Sequence, residues 1–178
     1  MSELKGCDDR IFGYRNAMME FASKVLSIEA IAPESGGKGE MAKADLILDL
    51  VSGWGFDKVE RFYAPDDRVP DGRRPNYLLT IKGKDGSLPA IWVFSHIDVV
   101  PPGDLSKWTG DPWRMRIVGD RIIGRGVEDN GQGLIASLFA AKAMMDECIR
   151  PSRDVALKVL PEEPSRHGHA LDRYECHF

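Results

Sequence analysis

The chain predicts an α/β fold in which a mixed sheet carries helices on both faces. Three observations predict it. Two segments with apolar residues every three to four positions precede the strands. Short apolar or alternating runs follow. A long helical segment then lies between the last two regular elements, in the order strand, helix, strand. With 178 residues, 43% hydrophobic and 29% charged, the chain has the size and balance of one globular domain.

Residues 11–30 read as the first helix, with Phe12, Met19, Val25 and Leu26 on a broad apolar stripe. Pro33 and Ser35-Gly36-Gly37 end it. Residues 40–54 read as the second helix. Met41, Ala44, Leu48 and Val51 keep helical spacing, and Gly53 and Gly55 stop it. Strands are expected at 58–63 and 76–82, the second leading into a hairpin-like turn at Lys84-Asp85-Gly86. Residues 90–94, Ala-Ile-Trp-Val-Phe, are the most apolar run. Their lack of alternation predicts a central strand covered on both faces. Short strands at 113–118 and 121–123 flank Gly119-Asp120. A long helix follows from about Gly131 to Glu147, with Leu134, Leu138, Ala141 and Met145 on one face. The last strand is 153–160. The core is expected where 90–94 and 155–160 lie side by side under that helix.

Composition narrows the function. Lys and Arg total 24 against 28 Asp and Glu, a net charge of −4, and no dense basic stripe is present. A nucleic-acid backbone is therefore not the expected partner. No apolar run approaches the roughly 20 residues a membrane span needs, so no membrane partner is expected either. Cys7, Cys148 and Cys176 are too few and too widely spaced for a disulfide framework or a paired ligand motif. The N-terminus leads into Asp8-Asp9 and not an apolar signal core. A cytoplasmic, reducing location is the expectation.

Three segments could carry chemistry. Ser95-His96-Ile97-Asp98 directly follows the most apolar strand, where α/β sheets bind ligands. His96 offers a nitrogen suited to zinc. With Ile97 pointing away, Asp98 returns to the His96 side and could hold its other ring N–H. A strand-end histidine beside a turn aspartate is the plainer reading. Gly124-Arg125-Gly126-Val127-Glu128-Asp129-Asn130-Gly131 puts two acids before the long helix. It suits metal chemistry, or equally a turn whose Asp129 or Asn130 caps the helix. It lacks both the dinucleotide and the phosphate-loop spacings. Glu162-Glu163 follows the last strand. Adjacent carboxylates there suggest a cation or one raised pKa, or simply a charged loop. Together the three segments supply one imidazole and several carboxylates near one sheet edge. Such a set matches a bridged two-ion hydrolytic site. His167, His169 and His177 read as an exposed end, and no GxSxG nucleophile elbow is present.

In order along the chain, these segments resemble the co-catalytic zinc amidohydrolases that include aminoacylase, carboxypeptidase G, succinyl-diaminopimelate desuccinylase and related dipeptidases. Residues 92–101, Trp-Val-Phe-Ser-His-Ile-Asp-Val-Val-Pro, resemble the family's first metal motif. Trp108 and Asp111-Pro112-Trp113 resemble the turn that follows it. Residues 124–131 resemble the second motif, and Glu162-Glu163 stand in the place of the third. The resemblance implies that His96 binds one metal and that Asp98 orients the site beside it. It implies that Asp129 bridges two ions across a cis Asp129–Asn130 peptide, and that Glu163 binds the second ion. Glu162 would be the general base. The implied cofactor is zinc, with cobalt or manganese as alternatives. The implied reaction is amide hydrolysis in a small N-acyl amino acid or peptide.

The resemblance runs to about Gly168. It implies that residues 1–168 are the N-terminal part of a metallopeptidase catalytic domain and that 169–178 are an atypical tail. The family also carries a further acidic ligand, a distant histidine ligand and an inserted lid and dimerisation domain, none of which this sequence contains. The expectation is thus a truncated, zinc-dependent exopeptidase-like chain with impaired activity. Exposed sheet edges would leave oligomers possible. A non-catalytic remnant or interaction module is the alternative. A metal-dependent phosphatase fits the paired carboxylates but not the joint motif.

Overall fold

The computed structural model describes residues 2–161, with side chains from Gly6 onward. The N-terminal helical segment is two helices, α1 (Ser2–Gly13) and α2 (Arg15–Leu26), instead of one over 11–30. The chain breaks at Tyr14, whose ring packs edge-on against Phe139, 5.5 Å between centroids, and whose hydroxyl donates to Asp146. That tertiary anchor fixes the corner, and helical spacing alone carries no sign of it. Helix α3 (Met41–Val51) and helix α4 (Gly133–Asp146) lie where the apolar spacing puts them.

Six strands follow in chain order: β1 (Lys58–Pro65), β2 (Arg73–Ile81), β3 (Ile91–His96), β4 (Arg116–Val118), β5 (Arg121–Ile123) and β6 (Val155–Leu160). The main sheet has the order β1-β2-β6-β3. Its β6–β3 pair is parallel and its other pairs are antiparallel, so the sheet is mixed. Strands β4 and β5 form a separate antiparallel hairpin. Since β6 inserts between β2 and β3, the segment around Lys84-Asp85-Gly86 is not a hairpin turn. Its amides instead reach the loop before β6, Lys84 to the Pro151 carbonyl at 2.8 Å and Asp85 to the Ser152 carbonyl at 3.1 Å.

The side-chain alternation of the sheet explains the core. Tyr77, Leu79 and Ile81 of β2 face the same way as Leu157 and Val159 of β6 and Val93 of β3. Onto this face pack Phe21, Val25 and Leu26 of α2, Ile47, Leu48 and Val51 of α3, and Leu134, Leu138 and Phe139 of α4. Burying a large aliphatic side chain contributes about 1.5–3 kcal/mol.

The expectation that the apolar 90–94 run is central and covered on both faces does not hold. Strand β3 neighbours β6 and contacts α4, but among the described residues it is the outer strand. On its opposite face Trp92 and Phe94 are stacked 5.9 Å apart and remain 39% and 49% exposed, and Ile91, on the Val93 face at the start of the strand, is half exposed. The missing alternation therefore marks a strand with apolar residues on two faces, only one of which meets the described helices. The centre belongs to β2 and β6.

Candidate metal centre

The site forms at the carboxyl end of β3, where the strand runs into His96-Ile97-Asp98. Ile97 is buried in the core, so the flanking His96 and Asp98 side chains return to one side. The backbone of this turn is tied down at each step. The Ile97 amide donates to the Leu160 carbonyl at 3.0 Å, at the end of the parallel neighbour β6. The Val99 amide donates to the Ala30 carbonyl at 2.9 Å. The Ile97 carbonyl accepts from the Lys43 ammonium at 3.1 Å.

The second segment reaches the same place through a tight turn. Arg125 N–H donates to the Pro112 carbonyl at 2.7 Å, and Gly131 N–H to the Gly126 carbonyl at 2.9 Å. Gly126 sits at φ +76°, and a Cβ there would lie 2.6 Å from Val99 Cγ1. Only glycine lets the turn press against the end of β3. The Arg125 guanidinium stands over the Trp108 ring at 5.4 Å, and the Trp108 indole N–H donates to the Pro102 carbonyl at 3.0 Å. The Asp129–Asn130 peptide is cis, as the resemblance implied.

These two segments converge on one imidazole. His96 Nδ1 lies 2.9 Å from Asp98 Oδ1, and His96 Nε2 lies 2.8 Å from Asp129 Oδ1. The Asp98 bond, reinforced by Asp129, raises the His96 pKa above its ordinary value against the opposing effect of burial. Asp98 is the enclosed partner, while the Asp129 side chain is 82% exposed. Both ring nitrogens thus meet a carboxylate, the enclosed Asp98 at Nδ1 and the exposed Asp129 at Nε2, and the Nε2 side is the one that opens outward. An imidazole nitrogen oriented by a carboxylate on its other nitrogen, beside a second carboxylate, is a donor set that fits zinc. Among the described residues no group of three or more His, Cys, Asp and Glu side chains forms a closed cation cage. Glu162 and Glu163 lie outside the described residues, as do His167, His169 and His177.

Sequence reasoning missed the charged layer behind this site. Glu40, Lys43 and Arg74 are all buried. Arg74 Nε and Nη2 donate to Glu40 at 3.0 and 2.6 Å, a bidentate pair. Burial pushes the Glu40 carboxyl up to about 7 against the pull of Arg74, with Asp98 adding to the rise. Burial lowers Lys43 to about 8, opposed by Asp98 and Glu40. The one available signal is register: Lys43 adjoins Ala44 on the buried side of α3, where an apolar residue is the default.

Fold and site together define an α/β scaffold whose strand-end histidine is held between two aspartates. Residues 92–171 match the model of peptidase family M20/M25/M40. An uncharacterized metallohydrolase of Methanocaldococcus jannaschii is 31% identical over 161 residues, covering 86% of this chain and 38% of the relative. A succinyl-diaminopimelate desuccinylase of Cereibacter sphaeroides is 33% identical over 143 residues, covering 80% of this chain and 33% of the relative. The crystal structure of human carnosine dipeptidase 1 shares the fold with a TM-score of 0.77 at 17% identity, over 97% of this chain and 37% of that one. Over residues 92–171 the chain carries the pattern of peptidase family M20/M25/M40, and it spans little more than a third of the length of these relatives.

Proposed function

We propose that this chain carries the metal-holding half of a hydrolase site that cleaves amide bonds in small N-acyl amino acids or peptides. The observation that carries the reading is His96, held at Nδ1 by Asp98 and facing Asp129 through Nε2. The family match and the peptidase relatives support the same class of reaction.

In this reading His96 and Asp129 hold the cation, and Glu163 joins them. Zinc suits an imidazole and carboxylates, and cobalt or manganese can replace it. When bound, the ion supplies Lewis acidity that polarises the amide carbonyl and acidifies water. Asp98 keeps the His96 proton on Nδ1 and so aims the Nε2 lone pair. Glu162 takes the proton of the attacking water and passes it to the leaving nitrogen. The roles of Glu162 and Glu163 rest on the resemblance.

Calorimetry with zinc tests the reading. The parent chain binds, and Asp129→Ala lowers the affinity at least about tenfold, since a carboxylate ligand is lost. Equal affinity in the two proteins overturns the assignment of Asp129. A second reading, a non-catalytic interaction module, draws on the exposed Trp92–Phe94 stack of β3. Zinc-stimulated release of an amino acid from a dipeptide, stopped by a chelator, separates the two.

A further inference from the structure

We propose that Lys43 is a positioning residue of this centre: its buried ammonium holds the Ile97 carbonyl, and through it the His96–Ile97–Asp98 turn, in the conformation that presents His96 to a cation. The inference rests on the metal reading of the site and extends it to a residue that neither the motifs nor the resemblance singled out.

Lys43 is 3% exposed and comes from α3, a helix that otherwise meets the core through Ala44, Ile47, Leu48 and Val51. A charge at such a position loses its hydration and needs compensation. The structure supplies it from the site. The ammonium donates to the Ile97 carbonyl at 3.1 Å, the peptide oxygen between the two site residues. The charges of Asp98 and Glu40 face it, and Glu40 is in turn paired with Arg74. Lys43 also lines, with His96, Asp98 and Asn130, the small enclosed cavity beneath the centre.

The turn has three tethers: the Ile97 amide on β6, the Val99 amide on Ala30, and the Ile97 carbonyl on Lys43. The first two are backbone bonds and belong to the sheet edge. The third is a side chain, and it sets the tilt of the peptide plane that joins His96's neighbour to Asp98. A rotated Ile97 carbonyl carries the Asp98 backbone with it, and Asp98 then loses its alignment with Nδ1.

The full chain is compared with Lys43→Met, which fills the same space without charge, and with Lys43→Gln, which keeps a donor without charge. Three quantities are read: the thermal midpoint, the zinc affinity by calorimetry, and the His96 ring tautomer of the metal-free protein. The tautomer is read by long-range nitrogen–proton NMR where the imidazole is neutral. Lys43→Met melts close to the parent, since an apolar residue replaces a buried charge. It binds zinc about 10–100-fold more weakly, the range for loss of a supporting partner, and its His96 tautomer population differs from the parent's. A folded Lys43→Met with zinc affinity within about twofold of the parent and an unchanged tautomer overturns the proposal. If neither variant folds, the ammonium serves the core and the proposal falls. If the parent binds no zinc, the metal reading fails by itself, and the tautomer comparison alone decides the role of Lys43.

Discussion

His96 shows how a residue that looks ordinary in sequence acquires a defined chemical state. Its two ring nitrogens meet two carboxylates of unlike surroundings, Asp98 enclosed and Asp129 exposed. The two carboxylates together favour the protonated ring, and the exposed Asp129 side is the one open to a ligand. The pairing with Asp98 was legible because alternation around Ile97 returns both side chains to one side. The pairing with Asp129 was legible only through the resemblance, since 33 residues separate the two. The Glu40–Lys43–Arg74 layer was not legible, because whether an isolated Lys is buried depends on what packs over it. Lys43 yields a pH prediction with a definite sign. Burial holds its folded value at about 8, below its ordinary 10.5. Between those values the unfolded chain binds more protons, so stability rises with pH. Lys43→Met lacks this contribution. The parent should therefore gain on Lys43→Met by about 2 kcal/mol between pH 8 and 10, read from urea unfolding of both proteins. A constant difference across that range would show that Lys43 is not desolvated.

Helix α4 links the core to the site. Its first turn follows directly on the 126–131 segment, and its buried face spans the strands that end at His96 and Leu160. Its position was readable from Leu134, Leu138 and Ala141, a periodic stretch long enough to outweigh local ambiguity. Strand β3 misled for a complementary reason: an apolar run states that both faces are apolar, not that both are covered. The break at Tyr14 depends on contacts to Phe139 and Asp146 on α4, which lie beyond any local window. Two substitutions separate the roles of α4 and of the turn before it. Leu138 is fully buried at the centre of the cluster. Leu138→Ala should cost about 2–5 kcal/mol in chemical denaturation, through lost burial and the cavity left behind. It should leave zinc affinity nearly unchanged in the fraction that is folded. Gly131→Ala works the other way. A Cβ at this position would run into the Gly126 carbonyl oxygen and crowd Leu26. The turn must open, which moves Asp129 from His96, and zinc affinity should fall by more than the loss in stability explains.

At the scale of the whole molecule, one face of the sheet is packed and the other still carries exposed Phe62, Trp92 and Phe94. The relatives are more than twice as long as the chain. Catalysis by an amide hydrolase depends on donors that are fixed before the reaction and on a site that sheds water. Here the described residues bring one imidazole and one exposed carboxylate to the open side of the site. In the proposed site His96, Asp129 and Glu163 would be the groups that hold the cation, too few to fix a bound water firmly, and bulk water screens the cation's field. The zinc- or cobalt-loaded chain should therefore hydrolyse N-acyl amino acids and dipeptides slowly. Its kcat/KM should fall at least about a thousandfold below the roughly 10⁴ M⁻¹s⁻¹ at the low end of ordinary enzymes. In a relative of full length, the Glu162→Ala equivalent should depress kcat far more than metal content, because a proton carrier is lost while the ligands stay. A substrate panel assayed with and without chelator measures the first, and metal analysis of the purified variant measures the second. Fast turnover by the chain alone, abolished by chelation and by Glu162→Ala, would mean that further ligands come from a second copy or from His167, His169 or His177. A dependence of the specific activity on protein concentration would then distinguish those two sources.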